Sequence, residues 1–202
     1  MNVMRHPEGM MKRWLVVGLV LAFSAMPLQN ASAASDMGLK SLGVDLGLID
    51  PENVDGVLGF GASADWGMLS PRVGLSSNLG YWSKSEELGF GDEATIRDVT
   101  LSTRARYFFP VSSAKFRPYM GGGLGLHFLN AEYSSPAIDL GGGFFLPAMS
   151  VSESETKVGI DLGGGFVTPV GAKTDFYGDM WYGIVEDFSQ VSLKVGLAWR
   201  LN

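Results

Sequence analysis

The sequence contains no cysteine and only two histidines among its 202 residues. The first absence excludes a disulfide framework and a thiolate metal site. After Ala33 no apolar run reaches the roughly 18 residues that a transmembrane helix needs. Lysine and arginine number 15, against 21 aspartates and glutamates. This shortage of bases argues against nucleic acid as a partner, because most affinity for nucleic acid comes from neutralising phosphates. Neither a cofactor nor a metal ion is expected.

The first 33 residues have the three parts of a secretory signal peptide. Arg5, Lys12 and Arg13 form a basic region, residues 14–25 form a short apolar region, and residues 31–33 read Ala-Ser-Ala, a small-residue cleavage site. We therefore predict that residues 1–33 are removed and that residues 34–202 form one domain. That domain would hold 12 bases and 20 acids, a net charge of −8.

Alternation of apolar and non-apolar residues is the main pattern that is present. The last stretch places every second residue on an apolar face, namely Val191, Leu193, Val195, Leu197, Trp199 and Leu201. Such alternation is typical of a strand with one apolar face, and its length matches a tilted strand that crosses a bilayer. The pattern recurs in eight predicted strands, at residues 41–49, 57–66, 72–82, 96–108, 117–129, 158–168, 174–184 and 190–202.

The connections between these segments are alternately short and long. Residues 34–40 are predicted as a lead-in and residues 67–71 as a tight turn. Residues 83–94 are predicted as a polar loop, and residues 132–157 form the longest connection. Short turns at one end and loops at the other are typical of an up-and-down barrel. The sequence therefore predicts an all-β fold, a single eight-stranded antiparallel barrel whose last strand pairs with residues 41–49.

The non-apolar face of these strands decides between two kinds of barrel. A soluble lipocalin-like barrel keeps its apolar face inside, whereas a transmembrane barrel turns that face outward. The polar face combines many glycines with six acids and six bases, and a narrow interior needs small residues beside paired charges. We therefore predict a transmembrane barrel with a packed polar lumen. The predicted lumen charge network is Asp45, Asp65, Arg72, Asp98, Arg104, Arg106, Arg117, His127, Asp161, Asp175, Asp179, Lys194 and Arg200.

Aromatic residues on the apolar face cluster at the strand ends. Such clustering predicts two belts at the membrane interfaces. The belt near the short turns is predicted to contain Trp66, Tyr107, Phe166, Phe176 and Trp199, and the belt near the loops Tyr81, Phe128 and Tyr182. The loops hold acids in excess, whereas the short turns hold Lys115 and Lys173 and no acid. We interpret the acidic end as a solvated rim, with a divalent-cation site as the alternative.

His127 is the one candidate for chemistry. Hairpin register predicts that it lies near Asp98 on one neighbouring strand and Asp161 on the other, with Ser102 or Ser76 nearby. A His–Asp pair beside a serine is the arrangement of nucleophilic catalysis. No nucleophile motif surrounds either serine, so we interpret His127 as a member of the lumen network. No catalytic residue is assigned.

Residues 138–144 repeat residues 160–166 letter for letter, as Ile-Asp-Leu-Gly-Gly-Gly-Phe. The first copy is predicted to be either an extension of a hairpin above the membrane or an extra strand, and we keep eight strands. Phe144, Phe145, Leu146 and Met149 could form an exposed binding surface.

The sequence resembles the small outer-membrane β-barrel proteins of OmpA/OmpX type in four features. These are the alternation, the signal peptide, the stretch Phe-Arg-Pro-Tyr-Met-Gly-Gly-Gly-Leu-Gly at residues 116–125 and the closing octet at residues 194–201. The resemblance implies insertion by the barrel-assembly machinery, contact with outer-membrane lipids and lipopolysaccharide, and a monomer in the outer membrane of a Gram-negative-type bacterium. It implies a structural or interaction role, in envelope integrity or surface contacts. A lipid-modifying enzyme and a transporter of small apolar molecules are the alternatives. About eight strands enclose only enough space for side chains, so no wide pore is expected.

Overall fold

The computed structural model describes residues 36–89, 91–112, 115–141, 144–186 and 188–201. The predicted signal peptide lies outside these ranges. The strands are β1 (Asp36–Pro51), β2 (Val57–Ser70), β3 (Val73–Gly89), β4 (Asp92–Phe108), β5 (Arg117–Ser135), β6 (Ile138–Gly141), β7 (Phe144–Leu146), β8 (Met149–Pro169), β9 (Thr174–Val185) and β10 (Gln190–Arg200). No helix in this part of the chain is long and apolar enough to cross a membrane.

Eight of these strands close into an antiparallel barrel, in the order β1-β10-β9-β8-β5-β4-β3-β2. The closing pair runs from Ser41 opposite Arg200 to Pro51 opposite Gln190, which confirms the predicted pairing of the last strand with the first. Among the described strands, β6 and β7 pair only with each other. The described residues of the first copy of the repeated heptapeptide therefore lie in a small separate sheet, and they add no strand to the barrel.

The outward face of the barrel is apolar and exposed. Leu46, Val158 and Leu193 expose 56%, 65% and 55% of their surfaces, while Asp45 and Lys194, which alternate with them, are buried. Alternation with the apolar side outward is the pattern of a barrel surrounded by lipid. This arrangement leaves the polar side chains in the lumen.

The strands are longer than the sequence predicted. The predicted lead-in at residues 34–40 forms part of β1, which pairs with β2 from Asp36 opposite Met68. The predicted turn at residues 67–71 was wrong, because β2 continues to Ser70 through a register shift. Gly67 lies in this irregularity with φ of +85°, a conformation that a residue with a Cβ rarely adopts. Its N–H donates to Asp65 Oδ1 at 2.8 Å.

Both predicted long loops were also wrong over most of their length. Residues 83–89 pair with residues 92–97 as continuations of β3 and β4. Residues 130–135 pair with residues 149–154 as continuations of β5 and β8. The extensions escaped sequence analysis because their outward face is polar. Ser85 and Thr95 share a hydrogen bond of 2.7 Å on that face, as expected for strands that have left the lipid.

We call residues 83–89, 92–97, 130–135 and 149–157 the projecting wall. Residues directly opposite each other in an antiparallel sheet share a face. Phe128 faces lipid, and its partner Thr156 therefore lies on the outward face as well. The outward face thus changes from apolar to polar above the bilayer. The opposite face becomes the apolar one over part of the wall. That inner face includes Ile96, Leu129, Ala131, Tyr133, Met149 and Val151.

Candidate functional site

The lumen contains a chain of ion pairs that joins strands across the barrel. Arg104 Nε lies 2.8 Å from Asp161 Oδ2, Lys194 Nζ lies 3.4 Å from Asp45 Oδ1, and Arg200 Nη2 lies 3.1 Å from Asp175 Oδ1. Arg106 pairs with Asp65. The structure thus brings together eight of the predicted network residues in four pairs.

Hydrogen bonds and ring contacts extend these pairs. The Arg104 guanidinium lies 4.3 Å from the centroid of the Trp181 ring, an arrangement that favours a cation. Lys194 Nζ donates to Asn78 Oδ1 at 3.2 Å, and the Tyr177 hydroxyl donates to Asp45 Oδ2 at 3.0 Å. Paired and hydrogen-bonded charges are tolerated in a confined interior, whereas a single charge would not be.

The remaining charged residues of the prediction lie in other surroundings. Asp179 accepts a hydrogen bond of 3.1 Å from the Tyr119 hydroxyl. Arg117 is exposed at the turn end, and its guanidinium lies 4.5 Å from the centroid of the Phe108 ring. The placement of Arg72 in the lumen was wrong. Arg72 lies in the exposed turn between β2 and β3 and donates to the hydroxyl of the outward-facing Tyr107 at 3.2 Å.

Two apolar clusters interrupt the polar lumen, and sequence analysis missed both. The outer seal, at the loop end, consists of Ile49, Trp82, Val185 and Phe188. Trp82 is 1% exposed and stacks on Phe188 with 5.9 Å between ring centroids. The inner cluster consists of Phe108, Tyr119 and Trp181. Large aromatic residues at inward positions of β3 and β9 were the available signal, because a polar face has no need of tryptophan.

Gly163 makes room for the side chain of Trp181. Gly163 lies directly opposite Trp181, and an added Cβ would overlap the Met180 carbonyl and lie 2.8 Å from the Trp181 ring. The predicted role of the glycines, to let neighbouring side chains fill a thin lumen, applies at this position. Replacement by any larger residue would displace the ring.

A cavity with a volume of about 220 Å³ opens at the turn end. It extends from Arg117 and Phe108 to Trp181 and Lys194. Beyond Trp181, toward the outer seal, lies a void of only about 20 Å³, which is enough for one water molecule. Arg104, Trp181 and Lys194 line both spaces, so they narrow the lumen between this cavity and the outer seal.

His127 lies between the ion pairs and the outer seal and is 1% exposed. Its Nδ1 lies 2.8 Å from Asp98 Oδ2 and 3.3 Å from Thr100 Oγ1, so the predicted contact with Asp98 is present. The predicted contact with Asp161 is replaced by the pair that Asp161 makes with Arg104. Ser102 is equally buried, and its hydroxyl has no hydrogen-bond partner among the described residues.

The burial of this histidine limits what it can do chemically. A general base must lie within hydrogen-bonding reach of the substrate proton, and His127 lines neither of the two spaces described above. Within the described residues, moreover, no group of three His, Asp or Glu side chains could hold a metal ion. The arrangement is that of a buried polar cluster that ties β4 to β5.

The predicted belt residues lie on the outward face of the barrel. Trp66, Tyr107 and Trp199 are exposed at the turn end, and Phe128 and Tyr182 toward the loop end. The Phe166 and Phe176 rings lie 6.0 Å apart between centroids, and Tyr81 contacts Phe60 at 5.2 Å. Sequence analysis missed two members at the turn end, Phe109 beside Tyr107 and Phe116 beside Phe166.

Asp92 forms a hydrogen bond across the projecting wall. Asp92 Oδ2 accepts a hydrogen bond of 2.7 Å from the Tyr133 hydroxyl. This bond lowers the pKa of the Asp92 carboxyl and raises the pKa of the Tyr133 hydroxyl, since it stabilises the charged carboxylate and the neutral phenol. The bond joins the start of β4 to the end of β5 near the tip of the wall.

The closed antiparallel barrel, its apolar outward face and its charged interior define a transmembrane β-barrel. A family model described as the outer membrane protein beta-barrel domain matches residues 15–200, so the chain belongs to that family and is an outer-membrane protein. In such barrels the short turns face the periplasm and the longer loops the exterior.

Solved structures show the same fold at low sequence identity. Neisserial surface protein A is 16% identical with a TM-score of 0.58, and the match covers 80% of this chain and 96% of that one. The N-terminal β-barrel domain of Pseudomonas aeruginosa OprF is 12% identical with a TM-score of 0.52, over 81% and 99% of the two chains. Ail, the attachment invasion locus protein of Yersinia pestis, is 13% identical with a TM-score of 0.53, over 81% and 97%. No curated protein matches the sequence.

Proposed function

We propose that this protein is a closed outer-membrane barrel whose role is structural and interactive, carried out through the projecting wall and not through a pore. The observation that carries the proposal is the outer seal, in which Trp82 and Phe188 stack at the mouth of the barrel. The outer seal and the ion pairs beneath it hold together the strands from which the wall projects. Preorganised surfaces bind at lower entropic cost than mobile ones.

The names of two structural neighbours agree with a role at the surface. One is called a surface protein and the other an attachment invasion locus protein, and the latter has also been solved with the heparin analogue sucrose octasulfate, a polyanion. The exterior of this chain favours a different partner. Exposed acids on its loops and wall include Asp50, Glu52, Glu86, Glu87, Glu93, Glu153, Glu155 and Glu186, and these would repel a polyanion.

The two alternative functions receive less support. A lipid-modifying enzyme would need access to a nucleophile, but His127 and Ser102 are each 1% exposed. A transporter of small apolar molecules would need a path from residues 132–157 into the lumen. The outer seal and the void of about 20 Å³ beneath it interrupt that path.

Conductance in planar bilayers tests the closed-barrel proposal. The refolded wild-type protein is expected to show no stable openings. A Trp82→Ala, Phe188→Ala double variant removes the stacked pair and is expected to conduct more often. Leu79→Ala, which shortens an outward-facing residue that is 51% exposed, serves as a matched control. Sustained ion-conducting openings of the wild-type barrel would refute the proposal.

A further inference from the structure

β8 has an unpaired backbone edge outside the membrane. It pairs with β5 up to Met149 opposite Ser135, but with β9 only as far as Gly159 opposite Val185, because β9 ends there. No strand of the described chain pairs with residues 149–158 on that side. In an antiparallel ladder every second residue directs its N–H and C=O to one side. The edge is therefore a template to which another strand can add.

The other free edge of the wall is protected, and this difference singles out β8. Residues 83–89 of β3 lie beyond the last pair with β2, Gly59 opposite Trp82. That edge is shorter, carries Lys84, and is interrupted by a register shift between Glu87 and Gly89. Bulges and lysines are common means of preventing edge pairing. Residues 149–158 contain no proline and one lysine, Lys157, at the membrane end of the edge. Its Nζ donates to the Glu186 carbonyl at 3.2 Å, and the register of the whole edge with β5 is unbroken.

The two faces of this edge differ in chemistry. Its inner face carries Met149, Val151, Glu153 and Glu155, and its outer face Ser150, Ser152, Ser154 and Thr156, all of them exposed. Glu155 lies 3.2 Å from Lys157 Nζ, whereas no cation among the described residues pairs with Glu153. Side chains directly opposite each other on one face set the energy of strand pairing. The apolar, acidic and hydroxyl side chains of the edge therefore each favour a particular kind of side chain on an incoming strand.

We propose that the β8 edge binds an extended, basic polypeptide segment that pairs antiparallel to residues 149–156 and continues the line of β9 beyond Glu186. This names the partner class for the surface role proposed above and rests on it. The segment carries lysine or arginine opposite Glu155 and Glu153, apolar residues opposite Val151 and Met149, and small polar residues on its other face. The same two glutamates disfavour acidic segments, since like charges directly opposite each other are destabilising.

A seven-residue peptide of sequence Lys-Thr-Lys-Thr-Val-Thr-Ile follows this pattern from Glu155 to Met149. Its binding to the full barrel in zwitterionic nanodiscs can be measured by fluorescence polarisation. A Glu-Thr-Glu-Thr-Val-Thr-Ile control is expected to bind about tenfold more weakly, from two opposed charge pairs. N-methylation of alternate amides provides a second control. Methyl groups on the set that faces β8 abolish binding, and those on the other set leave it unchanged.

Charge reversal on the protein completes the test. A Glu153→Lys, Glu155→Lys variant is expected to reverse the preference between the two peptides, whereas Glu86→Lys with Glu87→Lys on the β3 edge leaves it unchanged. Absence of binding at millimolar peptide, or equal binding of both peptides, overturns the proposal. Self-association that the Glu153→Lys, Glu155→Lys variant abolishes would assign the edge to a second copy and overturn it too. These outcomes are independent of conductance, which alone tests the closed barrel.

Discussion

The membrane-spanning barrel and the projecting wall share four strands but differ in which face is apolar. Within the bilayer, β8 turns Val158 outward and buries Asp161. Above the bilayer, the same strand turns Ser154 outward and carries Val151 on the inner face. Outward apolar side chains are favourable only where lipid, and not water, covers them. The difference shows that the outward face is apolar within the bilayer and becomes polar where the lipid ends.

Charged pairs differ between the two regions in the same way. Arg104 and Asp161 in the lumen expose 11% and 4% of their side chains, whereas Arg97 and Glu132 on the wall expose 46% and 38%. Burial removes water from the first pair and leaves it around the second. Loss of an ion pair should therefore lower the free energy of unfolding more in the lumen than on the wall.

Breaking the lumen pair is expected to give the largest loss of stability, and breaking the wall pair serves as its control. Arg104→Met leaves the Asp161 carboxylate unpaired in the lumen and should lower the free energy of unfolding by about 3–5 kcal/mol. Arg97→Met breaks a surface pair and should cost about 0.2–1 kcal/mol. Urea unfolding of the barrel in lipid vesicles measures both. Equal losses would show that water screens the Arg104 pair as it screens the surface pair, contrary to its burial.

The eight-stranded barrel could be predicted from the sequence because lipid enforces one rule on every strand within the bilayer. Inward charges such as Lys194 and Asp45 follow directly from that parity. The outer seal was missed, since Phe188 lies in a connection and Trp82 at the predicted end of a strand, although the inward position of Trp82 was a usable signal. Arg72 was misplaced because parity does not apply in a turn. The wall was missed because its outer face is polar, so residues 83–94 resemble a loop.

A charge placed at matched apolar positions in the two regions tests whether lipid or water covers each apolar face. Val195 and Val151 expose 51% and 56% of their surfaces, but Val195 faces lipid at the middle of β10 and Val151 faces water above the mouth. Val195→Arg should cost about 2–4 kcal/mol, as for a cation near the bilayer midplane, and Val151→Arg about 0.5 kcal/mol or less. Unfolding in vesicles again provides the measurement. A large loss at Val151 would mean that the wall's inner face is covered.

The smallest expected effect concerns the tip of the wall. The Tyr133 hydroxyl lowers the pKa of the Asp92 carboxyl, so this contact favours the folded wall above the ordinary aspartate range, near pH 4. Its contribution is lost as the pH falls through the lowered pKa, because the protonated carboxyl accepts the bond less strongly. Amide exchange near residues 92 and 133, corrected for intrinsic rates, should rise on acidification in the wild type. Exchange in Tyr133→Phe should already be raised at neutral pH and change less. A wild type whose tip is equally protected at both pH values would contradict the assigned role of this bond.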